Sequence, residues 1–162
     1  MTPPLADAAL SFDLASEAAT AALAALLARS ARAGDVFALA GELGTGKTTF
    51  ARAFIRSLHG PKEEVPSPTF TLVQVYEREA GAAPIWHFDL YRLTHPEEVF
   101  ELGLEEAIAH AIVLIEWPER LGPWLPRERL DIRLAPGASP HRRRVELRPS
   151  PAWRDRIAGL AP

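Results

Sequence analysis

One short segment limits the folds open to this chain more than any other feature. Residues 41–48 read Gly-Glu-Leu-Gly-Thr-Gly-Lys-Thr and match the phosphate-binding pattern G-x-x-x-x-G-K-[ST] at every specified position. The unbroken apolar run Val36–Ala40 comes directly before it and is typical of a strand buried on both faces of a parallel sheet. A helical pattern follows and ends at Gly60 and Pro61. Strand, loop and helix together predict a nucleotide site in an α/β fold.

The pattern gives each residue of this phosphate loop a role. Its glycines allow a tight turn that brings backbone N–H groups close to phosphate oxygens, and the following helix adds its partly positive N-terminus. We expect Lys47 to bind the β- and γ-phosphates and the hydroxyl of Thr48 to ligate Mg²⁺. Further nucleotide contacts, mainly from the backbone, are predicted for Glu42, Leu43, Gly44, Thr45, Gly46 and Thr49.

Composition narrows the class of protein. A chain of 162 residues with 48% hydrophobic residues can form one domain, which we predict to span residues 1–162. The absence of cysteine excludes disulfides and thiolate metal sites and fits a cytoplasmic protein. The longest apolar stretch, residues 18–28, is too short to cross a bilayer. With a net charge of −3 the chain has no general attraction for nucleic acid, so we expect neither membrane nor DNA as a partner.

Two features of the composition bear on the nucleotide. The chain contains no asparagine and cannot supply the Asn-Lys-x-Asp motif with which Ras-type GTPases recognise guanine. ATP is therefore favoured by elimination. Of eighteen Lys and Arg residues only Lys47 and Lys62 are lysines, so a lysine within the phosphate loop is a selective choice.

The remaining pattern predicts a P-loop NTPase-like α/β fold, with a mostly parallel central sheet, antiparallel additions and flanking helices. Besides the strand before the phosphate loop, strands are predicted at 10–14, 69–76, 85–88, 111–115, 130–134 and 143–147, the last two as an antiparallel hairpin. Besides the helix after the loop, helices are predicted at 17–33, with Ser16 as N-cap, and at 96–102, 104–110 and 151–160.

A phosphate loop needs a carboxylate at the end of a neighbouring strand, to hold Mg²⁺ or to order the attacking water. Two residues qualify, because Asp89 and Glu116 each follow a predicted strand. Both are candidate catalytic residues beside Lys47, and the pattern does not decide which of them orders the water. Thr69 is a further candidate, as a switch threonine near the γ-phosphate, although threonine is also simply a good strand former.

Four segments together resemble the TsaE family, the bacterial ATPases of tRNA threonylcarbamoyladenosine biosynthesis. They occur in the family's order and spacing, and they are residues 41–49, 67–73, 87–93 and 114–119. The resemblance implies slow ATP hydrolysis that supports repeated turnover by the TsaB–TsaD pair. That pair modifies the adenosine next to the tRNA anticodon, so tRNA would be an indirect partner.

The resemblance also implies roles for individual residues. Thr48 and Glu116 would ligate Mg²⁺, Asp89 would be a second functional carboxylate, and residues 67–71 would form a switch-like loop. Adenine contacts would come from the segment near Glu17 and from the late hairpin around His141 and Arg142.

Several alternatives stay open at this stage. Trp117 follows Glu116 and is expected at the nucleotide, although a packing role is almost equally favoured. His87 and Tyr91 flank Asp89, and core roles are favoured for both over catalytic ones. A small-molecule kinase is the alternative enzyme, but it would need an arginine-bearing lid, and the proline-bound segment after Glu116 is short for one. A nucleotide-binding module without activity is the third possibility.

Overall fold

The computed structural model of the protein describes residues 9–68 and 70–160. Within these residues the strands are β1 Leu10–Leu14, β2 Val36–Ala40, β3 Val73–Tyr76, β4 Ile85–Asp89, β5 Ile112–Glu116, β6 Leu130–Pro136 and β7 Arg143–Pro149. The helices are α1 Glu17–Ser30, α2 Lys47–His59, α3 Glu98–Glu101, α4 Leu104–His110 and α5 Arg154–Ile157, with 3₁₀ segments at Pro118–Trp124 and Pro151–Trp153. None of the helices in these residues is long and apolar enough to cross a membrane.

The strands form one seven-stranded sheet in the order β1-β7-β6-β2-β5-β4-β3. Its centre is parallel, because β2 pairs with β5 and β6, and β5 pairs with β4, all in parallel. The outer pairs β1–β7, β6–β7 and β3–β4 are antiparallel. This confirms the predicted α/β class, with antiparallel strands added at both edges of a parallel centre.

The central strands carry apolar side chains on both faces, as their unbroken apolar sequences predict. Phe37 and Leu39 of β2 face the side covered by α1 and α2, where they join Phe50 and Phe54 in one buried cluster. Val36 faces the other side and joins a second cluster built from α3, α4 and β5. Helices therefore cover both faces, and the open edge at the carboxyl ends of the parallel strands is left for the site.

Strand register determines which side chains meet at that edge. Glu116 pairs with Leu39 on one side and with Asp89 on the other. The phosphate loop follows β2 directly, so the ends of β4 and β5 place both predicted carboxylates beside it. This arrangement follows from the parallel pairing, because carboxyl ends of parallel strands share one edge of a sheet.

Several predicted boundaries differ from the observed ones, most of them by one or two residues, and three differences have a clear physical reason. Strand β3 begins at Val73 and not at residue 69, because the chain turns just before it: Leu72 N–H donates to Pro68 O over 2.6 Å and Leu72 has a left-handed φ of 65°. Helix α1 ends at Ser30 and not at residue 33, because Ala31 is already extended. The predicted C-terminal helix is a 3₁₀ turn followed by the short helix α5.

Candidate functional site

The phosphate loop adopts a shape that glycine alone permits at its first position. Gly41 has a φ of 148°, and a Cβ atom there would lie 2.5 Å from the carbonyl oxygen of Leu134 and 2.6 Å from Oγ1 of Thr45. Gly46 is left-handed and is the N-cap of α2, and it supplies no side chain to cap the helix. Since the first N–H groups of a helix have no partner within the helix, the start of α2 presents backbone donors suited to an anion.

Lys47 lies inside this loop and is only 5% exposed. Its Nζ donates to Gly41 O over 2.6 Å and to Glu42 O over 2.7 Å, and lies 4.1 Å from the ring centroid of Trp117. Burial lowers the pKa of Lys47 below its ordinary value, while the negative charges of Glu116, Glu119 and Asp89 oppose that shift. The ammonium group is thus held at the position from which it can reach phosphate oxygens.

Both oxygens of the Glu116 carboxylate are held by neighbouring side chains. Its Oε1 accepts a hydrogen bond from the Thr48 hydroxyl over 2.8 Å, and its Oε2 lies 2.7 Å from Nε2 of His87. The Glu116 and His87 side chains are 1% and 0% exposed. The two residues predicted to ligate a metal are therefore brought together, and His87, for which a core role was favoured, contacts one of them directly.

Asp89 lies beside Glu116 and links the sheet edge to the preceding loop. Its Oδ1 accepts the backbone N–H of Tyr91 over 3.1 Å, and its Oδ2 accepts the Ser67 hydroxyl over 3.4 Å. The Tyr91 ring lies 5.0 Å from the Trp117 ring, which itself covers the Lys47 ammonium. Thr69 falls outside the described residues, so its switch role stays a prediction.

A cavity of about 90 Å³ lies beside the phosphate loop, between the start of α1 and the hairpin β6–β7. It is lined by Glu17, Thr20, Gly46, Thr49, Pro140, His141 and Arg143. Both chain regions for which adenine contacts were predicted therefore reach one cavity beside the phosphate loop. The lining includes Glu17 and Thr49, but the exposed Arg142 is not part of it.

Arg143 is the residue that sequence reasoning missed here. Its Nε donates to the Thr45 carbonyl over 3.0 Å, and its Nη1 donates to Pro140 O and Arg142 O over 2.7 and 2.9 Å. The guanidinium thus ties the phosphate loop to the hairpin. Alternation along β7 carried the signal, because Arg143 shares a face with the buried Val145 and Leu147, whereas Arg142 does not.

The remaining loop residues predicted to contact the nucleotide differ in their exposure to solvent. Thr45 is buried, and its hydroxyl donates to Glu42 O over 2.8 Å, which stabilises the turn of the loop. Leu43 lies at the tip of the loop and is 70% exposed. Gly44 is left-handed at φ 78°, and a Cβ atom added to it would meet no other atom within 4 Å, so its neighbourhood is open.

Fold and site together define the class. A buried parallel strand leads through a glycine-rich loop into a helix, and neighbouring strands end in carboxylates that face the loop, which is the arrangement of a P-loop NTPase-like fold. The profile of the family described as "Threonylcarbamoyl adenosine biosynthesis protein TsaE" matches residues 14–145. The chain belongs to this family, whose role is in tRNA threonylcarbamoyladenosine biosynthesis.

Individual relatives agree with this assignment. The chain is 44% identical to the TsaE protein of Rickettsia conorii over 75% of this chain and 68% of the relative. It is 42% identical to that of Bacillus subtilis over 70% of this chain and 69% of the relative. The crystal structure of Bacillus subtilis YdiB superposes with a TM-score of 0.75 at 29% identity, covering 93% of this chain and 91% of YdiB. The resemblance stated from four sequence segments is thereby confirmed.

Proposed function

We propose that the protein binds MgATP at the phosphate loop and hydrolyses it slowly, and that this hydrolysis supports threonylcarbamoyladenosine modification of tRNA through a TsaB–TsaD complex. The observation that carries the proposal is the placement of three side chains together at the start of α2 and the end of β5. Lys47 lies in the loop, and Thr48 at the start of α2 is hydrogen-bonded to Glu116 at the end of β5. Each type of group that MgATP requires is present there: a cation, a hydroxyl and a carboxylate.

Two features of the loop support a triphosphate as its ligand. The space that a Cβ at Gly41 would fill is already occupied by Leu134 O and Thr45 Oγ1, so the tight loop depends on a glycine there. The Lys47 ammonium is bonded to loop carbonyls, which it can exchange for phosphate oxygens without leaving the loop. Backbone N–H groups of the loop and of the first turn of α2 would bind the phosphate oxygens.

The donor set fits Mg²⁺ better than a metal held by a full cage of side chains. Mg²⁺ binds to one or two protein oxygens and completes its shell with phosphate oxygens and waters. Thr48 Oγ1 and Glu116 Oε1, which are 2.8 Å apart, would be those oxygens. Across the part of the chain that the structure describes, no three His, Cys, Asp or Glu side chains gather in a metal-binding group. When bound, the ion would compensate charge on the β- and γ-phosphates.

The carboxylates are assigned different tasks in this proposal. Glu116 touches Thr48, the other metal ligand proposed, so we assign Glu116 to the metal. Asp89 is its neighbour across β4 and β5 and contacts Ser67 of the switch-like loop, so we assign Asp89 to the attacking water. The switch-like loop and Thr69 would then complete the water site from the other side.

The base would lie in the cavity between α1 and the β6–β7 hairpin. Glu17, Thr20, Thr49 and His141 give this cavity a polar lining, and Gly46 connects it to the phosphate loop. Arg143 joins the two parts, because it bonds Thr45 of the loop and lines the cavity. We assign the base contacts to this set, with Arg143 in place of the predicted Arg142, which does not line the cavity.

The partner assignment follows from the family. The relatives' names place them in tRNA threonylcarbamoyladenosine biosynthesis, and the TsaB–TsaD pair is the partner that the resemblance implies. The net charge of −3 gives no general attraction for tRNA, so tRNA would be reached through that complex.

One observation favours testing a kinase as the second candidate. A second cavity, of about 690 Å³, also borders the phosphate loop. Trp117, Glu119 and Arg133 are among its lining residues. It could receive a phosphoryl acceptor. The segment that would have to close over it, Pro118–Trp124, is a short 3₁₀ element containing two prolines, which suits a mobile lid poorly.

The deciding experiment identifies the products that the protein forms from ATP. ATP hydrolysis is followed for the protein alone and with TsaB, TsaD and tRNA, with product analysis in each mixture. Phosphate release without an acceptor, increased by the partners, is the expected result. Phosphoryl transfer to a small molecule would replace the proposal by the kinase, and nucleotide binding with neither product would leave a nucleotide-dependent interaction module.

A further inference from the structure

His87 makes a contact that its position in the core does not explain. We propose that His87 is a positioning residue, which holds the Glu116 carboxylate in the orientation needed for metal binding. This inference rests on the proposed MgATP site, and it concerns how this chain prepares that site for its ligands.

Strand register brings the two residues together. His87 and Asp89 are two residues apart on β4 and so share one face of the sheet, the face covered by α2. Asp89 pairs with Glu116 on β5, and His87 pairs with Leu114. The imidazole therefore lies two register pairs deeper in the sheet than the Glu116 carboxylate, from where its Nε2 reaches Oε2 over 2.7 Å.

A histidine is an unfavourable residue for packing alone at this position. Its ring is fully buried, its neighbours on this face include the apolar Ile85 and Leu114, and its Nδ1 has no hydrogen-bond partner among the described residues. Burying an imidazole costs free energy that an aliphatic side chain would not. Within the described part of the chain the ring makes a single hydrogen bond, the one to Glu116, and Nε2 is its donor because an ionised carboxylate only accepts.

The consequence for Glu116 is a fixed rotation of its carboxylate. The last torsion of a glutamate side chain has a broad, weak preference, so an unrestrained carboxylate turns easily. With His87 bound to Oε2, the second oxygen is directed to Thr48, where Oε1 accepts the hydroxyl over 2.8 Å. Hydrogen bonds of this kind behind a metal ligand typically account for about 10–100-fold in metal affinity.

Three variants separate this role from a packing role. His87→Leu removes the N–H donor, whereas His87→Gln keeps an N–H donor at a similar distance from the backbone. Ile85→Val is the matched control, because Ile85 lies on the same strand and the same face, is fully buried and has no polar group. Melting temperatures of the metal-free and nucleotide-free proteins establish that each variant folds.

The measurement is nucleotide binding by calorimetry as a function of Mg²⁺ concentration, repeated with Mn²⁺ detected by its paramagnetic resonance. His87→Leu should need about tenfold more metal for half-maximal binding than the wild type, because an outer partner of the metal ligand is lost. The metal concentration that His87→Gln needs should lie between those of wild type and His87→Leu. Ile85→Val should need the same concentration as the wild type.

Different outcomes overturn different claims. A wild-type protein that binds no nucleotide with metal would overturn the proposed function and this inference with it. Wild-type binding with an unchanged metal requirement in His87→Leu would overturn the inference alone, as would equal losses in His87→Leu and His87→Gln. Should His87→Leu not fold, nitrogen-15 spectra of the imidazole in the wild-type protein decide: a hydrogen on Nε2 supports the contact, and a hydrogen on Nδ1 alone contradicts it.

Discussion

The hydroxyl of Thr48 donates a hydrogen bond to Oε1 of Glu116 over 2.8 Å, although 68 residues separate the two in the chain. Thr48 belongs to the first turn of α2, and Glu116 is the last residue of β5. Because β2 and β5 are adjacent and parallel, the helix that leaves β2 begins beside the end of β5. The contact therefore places the phosphate loop against a neighbouring carboxylate, which is the arrangement that the proposed MgATP site uses.

Replacing Lys47 tests the phosphate loop most directly. Lys47→Ala should slow ATP hydrolysis at least ~100-fold, or about 3 kcal/mol in activation free energy, by analogy with the loss of one preorganised electrostatic contact. Lys47→Arg should also lose ATP hydrolysis, since a planar guanidinium replaces a compact ammonium poorly in a tight loop. The exposed Lys62, the other lysine of the chain, gives the control Lys62→Ala. Steady-state phosphate release is the measurement, and activity within a few-fold of wild type in Lys47→Ala would contradict the assignment.

Nucleotide preference tests the argument from composition. ATP should bind more tightly than GTP, because the chain lacks the asparagine with which Ras-type GTPases recognise guanine. Hydrolysis should also require Mg²⁺, because Thr48 and Glu116 are assigned to it. Calorimetric titrations with both nucleotides check the first expectation, and chelation during the hydrolysis assay checks the second. Equal affinities, or a rate that survives chelation, would count against the respective assignment.

Much of this site could be predicted from short sequence segments, because the backbone shape of the loop and the burial of its neighbouring strands depend on residues close together in the chain. The loop of residues 41–48 carries its own geometry in its glycines, and the apolar runs of β2 and β5 define buried strands that end at the loop and at Glu116. Parallel strands end at a common edge, so Asp89 and Glu116 can be predicted beside the loop without knowledge of their register.

Other parts depend on contacts that no local pattern contains. The turn before β3 places Leu72 at a left-handed φ of 65°, yet its sequence alternates and is rich in β-branched residues like a strand. The partner of His87 depends on the register between β4 and β5, which the sequence of either strand leaves open. Arg143 differs, because the alternation of β7 predicts its face, whereas the family resemblance implied His141 and Arg142 instead.

Arg143 and Arg142 form a matched pair for testing the base cavity. Arg143→Met should weaken ATP binding, because it removes the hydrogen bond to the Thr45 carbonyl and one wall of the cavity. We expect a loss of about 1.5–3 kcal/mol, the range for a hydrogen bond from a charged group. Arg142→Met alters an exposed neighbour and should change affinity less. Dissociation constants from calorimetry decide, and a larger loss in Arg142→Met would restore the original assignment of the base contact to Arg142.

Tyr76 provides a test of stability at high pH that does not involve the site. Burial, reinforced by Glu63, raises the pKa of Tyr76 above its ordinary value of 10.0, and its buried hydroxyl has no hydrogen-bond partner among the described residues. Above pH 10 the unfolded chain therefore releases this proton before the folded protein does, so stability falls as pH rises through that range. Tyr76→Phe should lose this pH dependence.

Urea unfolding of wild type and Tyr76→Phe at pH 7 and above pH 10 measures the effect. At pH 7 the variant should be as stable as wild type or up to ~1 kcal/mol more stable, because an unpartnered buried hydroxyl is removed. Above pH 10 the stability of the variant relative to wild type should increase further. A large loss of stability in Tyr76→Phe at pH 7 would show instead that the hydroxyl contributes a hydrogen bond.

The two carboxylates should be distinguishable by what their amide variants lose. Glu116→Gln removes a formal charge from the proposed metal site and changes the acceptor of the Thr48 hydroxyl, so metal dependence and nucleotide affinity should weaken together. Asp89→Asn keeps a side chain of the same size beside Glu116. If Asp89 orders the attacking water, this variant should bind MgATP almost normally while ATP turnover and threonylcarbamoyl transfer with TsaB, TsaD and tRNA both slow. Calorimetry and the reconstituted assay are therefore needed together. Loss of binding in Asp89→Asn with normal hydrolysis in Glu116→Gln would make Asp89 the metal carboxylate and reverse the two assignments.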